Sequence, residues 1–167
     1  MSDDIETDEP DSPVTTAWKR TLEEMDVIAE DRRDDGWSVL TVIAAHTDTV
    51  GREMGDDDRF GLVHVIPGNY AEELRDTYDE DAFTEYLAYG RDVGNSMFVV
   101  TEFIDPDDRR SILVASRYDM GNPSAQKMIS SAHEAGALRT YFKKIDGTIL
   151  GKYEHEEYEP LITRPST

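Results

Sequence analysis

The chain has 167 residues, enough for one domain with a real core and short tails, and it carries a net charge of −20 from 37 Asp and Glu against 17 Lys and Arg. It has no cysteine, which excludes disulfides, thiolate metal sites and cysteine nucleophiles. No basic stripe is visible, as nucleic-acid binding requires; the longest uncharged run, 36–47, is too short to span a bilayer, so neither nucleic acid nor a membrane is expected as partner.

Residues 1–12 form an acidic, Pro-containing stretch with almost no apolar content, expected to be a disordered tail ahead of one α+β domain over 13–157. The tail has no basic region or apolar run, so it is no signal peptide and the expected compartment is the cytoplasm. Ser12-Pro13 reads as a helix start, with serine as cap and proline at the first position. Trp18, Leu22, Met25 and Ile28 then recur at helical spacing, and the helix closes near Asp35 with Gly36 as its stop. The run 37–45 is apolar at both parities, the pattern of a strand buried on both faces.

The polar run 46–59 reads as a loop and 60–66 as a second strand ended by Pro67-Gly68. Asn69 is placed to cap the next helix, with Glu72 three residues on. That helix breaks around 79–81 and resumes through Phe83 and Leu87. The runs 97–104 and 111–118 flank a charged loop, a hairpin signal.

Asn122-Pro123 repeats the cap-then-proline signature, Ala125, Met128, Ile129 and Ala132 form an apolar stripe, and Gly136 ends it. The runs 138–145 and 148–155 are joined by Asp146-Gly147, a two-residue turn that favours type I′. Its register sets Phe142 opposite Gly151, Thr140 opposite Tyr153 and Arg139 opposite Glu154. It buries Leu138, Phe142, Ile149 and Tyr153 and leaves Arg139, Lys143 and Lys152 wet. Residues 158–167 read as a loose tail. The expected fold is therefore a mainly antiparallel sheet of six strands with three helical segments, in α-β-β order three times.

The sharpest local motif is His46-Thr47-Asp48-Thr49-Val50 after an apolar strand. It resembles the His-x-Asp metal motif of the zinc aminoacylase and carboxypeptidase family, in which the histidine ligates zinc and the aspartate orients it. Tyr118-Asp119-Met120-Gly121 resembles that family's later segment with a metal-bridging aspartate, and Glu156-Glu157 imitates its Glu-Glu pair. Ala45 stands where that family has glycine, the spacings differ, and the chain is too short for that catalytic domain. His46, Asp48 and Asp119 are thus metal candidates only under an alternative reading as a metal-dependent hydrolase. His64, His133 and His155 lie far apart in sequence, without the short spacings of zinc sites. The acidic runs 56–58 and 105–108 lack the alternation of a calcium loop. Arg117 ends a strand just before the helix capped by Asn122, a place where an anion can meet free backbone amides, and these two are the ligand-binding candidates.

The strand RFGLVHVIPGN, the segment VGNSMFVVTEFID and the ending DGTILGKYEHEEYEP resemble a small uncharacterised protein family of halophilic archaea, a domain of unknown function. The resemblance implies a salt-loving cytosolic setting and no catalytic residues. The acid excess, with only five lysines among the bases, suggests the same setting independently, because molar salt screens self-repulsion within about 3 Å. The expected function is a non-enzymatic binding or regulatory module that acts through protein contacts, as a homodimer, since strands apolar at both parities need cover on both faces. No cofactor is expected. The alternative is a small-molecule binder or metal-dependent hydrolase using the His46–Asp48 loop with Arg117 and Asn122.

Overall fold

A computed structural model describes residues 12–52 and 60–162. Most of the expected 1–12 tail, the acidic run 56–58 and residues 163–167 lie outside the described residues. The elements in order are α1 (Pro13–Asp34), β1 (Ser38–Ile43), β2 (His46–Val50), β3 (Gly61–Val65), α2 (Gly68–Thr77), β4 (Glu85–Val93), β5 (Ser96–Asp105), β6 (Arg110–Asp119), α3 (Pro123–Ala135), β7 (Leu138–Lys143), β8 (Ile149–His155) and α4 (Glu159–Ile162).

The strands form two mixed sheets of four, not one antiparallel sheet of six. Sheet 1 has the order β1-β6-β5-β4 and sheet 2 the order β2-β3-β7-β8. Each contains one parallel pair, β1 with β6 and β3 with β7. Two strands account for the difference in count. The polar stretch read as a loop from residue 46 begins as β2, antiparallel to β3. The stretch read as a resumed helix through Leu87 is β4, a nine-residue strand joined to β5 by a two-residue Gly94-Asn95 turn. The expected hairpin over 97–104 and 111–118 is β5–β6, with Phe103 opposite Ile112 and Val100 opposite Ala115.

The helix ends follow the sequence signals at α1 and α3. Ser12 Oγ accepts from the Thr15 amide and Asn122 Oδ1 from the Ala125 amide. The α2 start differs. It begins at Gly68 with Pro67 as cap and no side-chain cap bond. The Pro67 carbonyl already accepts from the Tyr70 and Ala71 amides, so Asn69 lies inside the first turn.

The β7–β8 register is as expected, by another route. The turn is a three-residue loop. Gly147 N–H donates to Lys144 O, and Lys144 N–H to Thr148 O. Gly147 at φ 96° supplies the left-handed residue of this turn, which ends in a bulge. Such a loop shifts the pairing by one residue, so Lys143 faces Ile149; an irregularity between Phe142 and Lys143 restores Phe142 opposite Gly151. Ile149 is therefore exposed, and Leu150 packs on the core in its place.

Helix α1 covers the outer face of sheet 1. Met25 and Ala29 are buried against Val100, Leu113 and Ala115, with Trp18, Leu22 and Ile28 beside them. The other face of sheet 1 meets sheet 2 through two apolar clusters. One gathers Leu62, Met97, Val99, Tyr118, Met128 and Leu138; the other gathers Ile66, Phe103, Ile112, Val114, Phe142 and Tyr78. Tyr158, Leu161 and Ile162, in the stretch read as a loose tail, are buried in the first cluster. Gly151 leaves room for Tyr78, whose ring carbon would stand 2.6 Å from an added Cβ.

Between the clusters runs a polar belt. On each of the four central strands one polar residue separates the two clusters: Thr101 on β5, Ser116 on β6, His64 on β3 and Thr140 on β7, all at most 2 % exposed. His155 on β8 joins them, with its Nε2 2.7 Å from Thr140 Oγ1. His64 Nδ1 meets Thr47 Oγ1 at 2.8 Å. Among the described residues, His64 Nε2, His155 Nδ1 and Ser116 Oγ have no partner.

Candidate functional site

The site begins where the chain changes sheets. The Ala44 amide donates to Ala115 O in sheet 1, and the next amide, Ala45, donates to Val65 O in sheet 2. β1 therefore leaves β6 after the Ile43–Ala115 pair, while β6 runs on to Asp119. Beyond that point β2 lies near β6 but is bonded to β3. A cleft of about 640 Å³ lies there. Its walls are all five residues of β2, the end of β6 with Arg117, Tyr118 and Asp119, the start of β5, the start of α3, and Val14 of α1. Open sheets place ligand sites at such changes of strand order because the connections splay apart there.

All the residues singled out as metal or ligand candidates, His46, Asp48, Arg117, Asp119 and Asn122, line this one cleft. The two candidate sites read from sequence are a single place. Strand alternation sorts the β2 residues. Thr47 and Thr49 are buried, whereas the side chains of His46 and Asp48 are 65 % and 46 % exposed. His46 Nε2 donates to Asp48 Oδ1 at 2.6 Å, since a carboxylate can only accept. Asp119 Oδ1 accepts from the Gly121 amide at 2.7 Å. Among the described residues no three His, Asp or Glu side chains are grouped to hold a metal ion, so His46, Asp48 and Asp119 share a cleft without forming a ligand set.

The start of α3 offers an anion less than the sequence suggested. Pro123 has no amide proton, and the Ala125 amide is held by Asn122. The cation in the cleft is Arg117, exposed, with its guanidinium 5.3 Å over the Trp18 ring. A cation over an indole face is held in place without losing its charge.

Sequence reasoning missed Thr47, Thr49 and Ser124, which line the cleft between the charged groups. The signal was there in part: Thr47, Thr49 and Val50 are β-branched, which favours a strand. It also set His64 and His155 aside for want of short ligand spacings, although both face the interlayer. Burial pushes His64 down to about 4. It pushes His155 down to about 3, with a smaller contribution from His64 nearby. Both rings are neutral near pH 7.

No described helix is long and apolar enough to cross a membrane. Comparison with curated proteins and with solved structures found no match. A family model does match, over residues 5–163, and with nearly the whole length covered the chain belongs to that family of unknown function, DUF7529.

Proposed function

We propose that the protein is a non-enzymatic small-molecule-binding module whose ligand occupies the cleft between β2 and the end of β6. The observation that carries this reading is convergence: His46 and Asp48 of β2, Arg117 and Asp119 of β6, and Asn122 of the turn before α3 line one cleft of about 640 Å³. That volume lies within the range of small-molecule sites. Binding needs no more than these groups. Hydrolysis would need a ligand set or an activated nucleophile, and among the described residues the His46 ring is engaged with Asp48 alone.

The motive for a protein partner weakens at the same time. Strand β5 is apolar at both parities, and it receives cover from α1 on one face and from sheet 2 on the other. The acid excess supports a working environment of concentrated salt, where repulsion among 37 carboxylates is screened.

The test is an amide-shift titration of the full chain against a library of small polar metabolites. We expect at least one compound to shift residues 46–50 and 117–124 together and to lose that effect in Arg117→Ala. A library without a single hit on these residues, or hits indifferent to Arg117, would sink the reading.

A further inference from the structure

The cleft wall where β2 meets α3 has a hydrogen-bond direction that follows atom by atom. Asn122 Oδ1 accepts from the Ala125 amide at 2.8 Å, which fixes the orientation of the side-chain amide. The same oxygen accepts from Ser124 Oγ at 2.7 Å, so the single Ser124 hydroxyl proton is committed. Thr49 Oγ1 lies 2.8 Å from Ser124 Oγ and must therefore be the donor of that pair. Thr49 then offers a ligand only lone pairs, and Asn122 offers only its Nδ2 protons.

The charges along the cleft divide in the same way. Arg32, Arg91, Arg110 and Arg139 each pair with a carboxylate. Arg117, in a chain with twice as many acids as bases, makes no ion pair among the described residues and rests on Trp18. The cleft's carboxylates each use one oxygen locally, Asp48 on His46 and Asp119 on the Gly121 amide. A purely anionic ligand would face Asp48 and Asp119, and a purely cationic one would face Arg117; either leaves a charge opposed or unpaired.

We infer that the ligand is a small zwitterion of the amino-acid type, with its carboxylate on Arg117 and Asn122 Nδ2 and its ammonium on Asp48. This rests on the cleft reading above and names its ligand class.

The experiment titrates the full chain with the twenty free amino acids by calorimetry and amide shifts. The best binder is then compared with its N-acetyl form, which lacks the cation, and its amide, which lacks the anion. We expect each modified form to bind at least tenfold more weakly. In Arg117→Gln the preference for the free acid over the amide should vanish, and in Asp48→Asn the preference for the free amine over the N-acetyl form. Modified forms that bind as tightly as the parent would overturn the zwitterion, as would cleft shifts from singly charged metabolites with none from amino acids; both leave the cleft reading standing. If no polar compound shifts the cleft residues, both readings fall.

Discussion

Sheet 1 buries polar groups on both faces, in two different ways. Under α1, Glu102 is wholly buried as a charge with every oxygen engaged. Arg32 grips it with two bonds of 2.7 and 2.8 Å, Ser111 donates at 2.7 Å and Tyr89 at 3.1 Å. Burial alone would push the Glu102 carboxyl up, but the bonds from Arg32, Ser111 and Tyr89 outweigh it and hold the carboxyl below its ordinary range. Against the opposite face, His64 and His155 of sheet 2 are buried as neutral rings, with one nitrogen each unpartnered among the described residues. A buried charge has to be saturated, whereas a buried imidazole can shed its proton and stay incompletely bonded.

The strongest way to break this contrast is Arg32→Ala. It strands the Glu102 carboxylate with only two neutral donors, and losing one partner of a buried pair costs about 3–5 kcal/mol. Urea unfolding at pH 7 should show that loss. A change below about 1 kcal/mol would mean the glutamate finds water or takes up a proton at little cost.

The second test separates the clusters by pH. The His64 ring has a folded pKa below its unfolded value, so its contribution is complete above about 6.5 and is lost as pH falls toward about 4. A depression from 6.5 to about 4 corresponds to roughly 3 kcal/mol. Glu102 also has a depressed value, but its contribution holds above the ordinary carboxylate range and is lost only below it. The wild type should therefore lose stability between pH 6.5 and 4.5, before Glu102 titrates. His155, whose ring is held lower still, titrates in the unfolded chain over the same range, so His64→Leu should reduce the slope of that segment by about half; an unchanged slope would show that other groups set it.

Gly151→Ala probes the apolar side of the interlayer. Its Cβ would press on the Tyr78 ring, whose hydroxyl is fixed on Lys152 O at 2.6 Å. Overpacking of this kind costs about 1–3 kcal/mol. A melting temperature equal to wild type would mean that Tyr78 has room to move.

The smallest effect is the salt dependence of the first. Lowering salt from 1 M to 0.1 M lengthens screening from about 3 to about 10 Å, so the wild type should melt earlier as surface carboxylates repel. The cost of Arg32→Ala should change by less than about 0.5 kcal/mol, since the buried Glu102 is largely shielded from salt. A flat wild-type series would remove the argument for a saline environment.

The parts of this molecule legible from sequence are those where one local signal suffices. The β5–β6 hairpin announces itself by two apolar runs around a charged loop, and α1 and α3 by a capping side chain before proline. β2 was hidden because His46 and Asp48 point to solvent and make the stretch look like a loop. β4 was hidden because Phe83 and Leu87 are four residues apart, a helical spacing, although Leu87 is an exposed residue of an edge strand. The candidate side chains were legible as types, and their meeting only as the alternative reading. That meeting depends on the chain changing sheets between Ala44 and Ala45, which no residue of that Ala-Ala step signals. The belt was illegible for the same reason: His64 and His155 become neighbours only once β3, β7 and β8 are in order.

The two parallel ladders set the timetable on which this chain can fold. Ser38 pairs with Arg110 and Gly61 with Arg139, so each ladder closes a loop of more than seventy residues. During synthesis β1 and β3 emerge long before their partners exist, whereas β4, β5 and β6 follow one another through tight turns and can zip at once. The meander is thus the natural nucleus. The change of sheet at Ala44–Ala45 makes docking of β1 on β6 and of β3 on β7 two steps tied by one short tether, and the cleft is assembled only at the end.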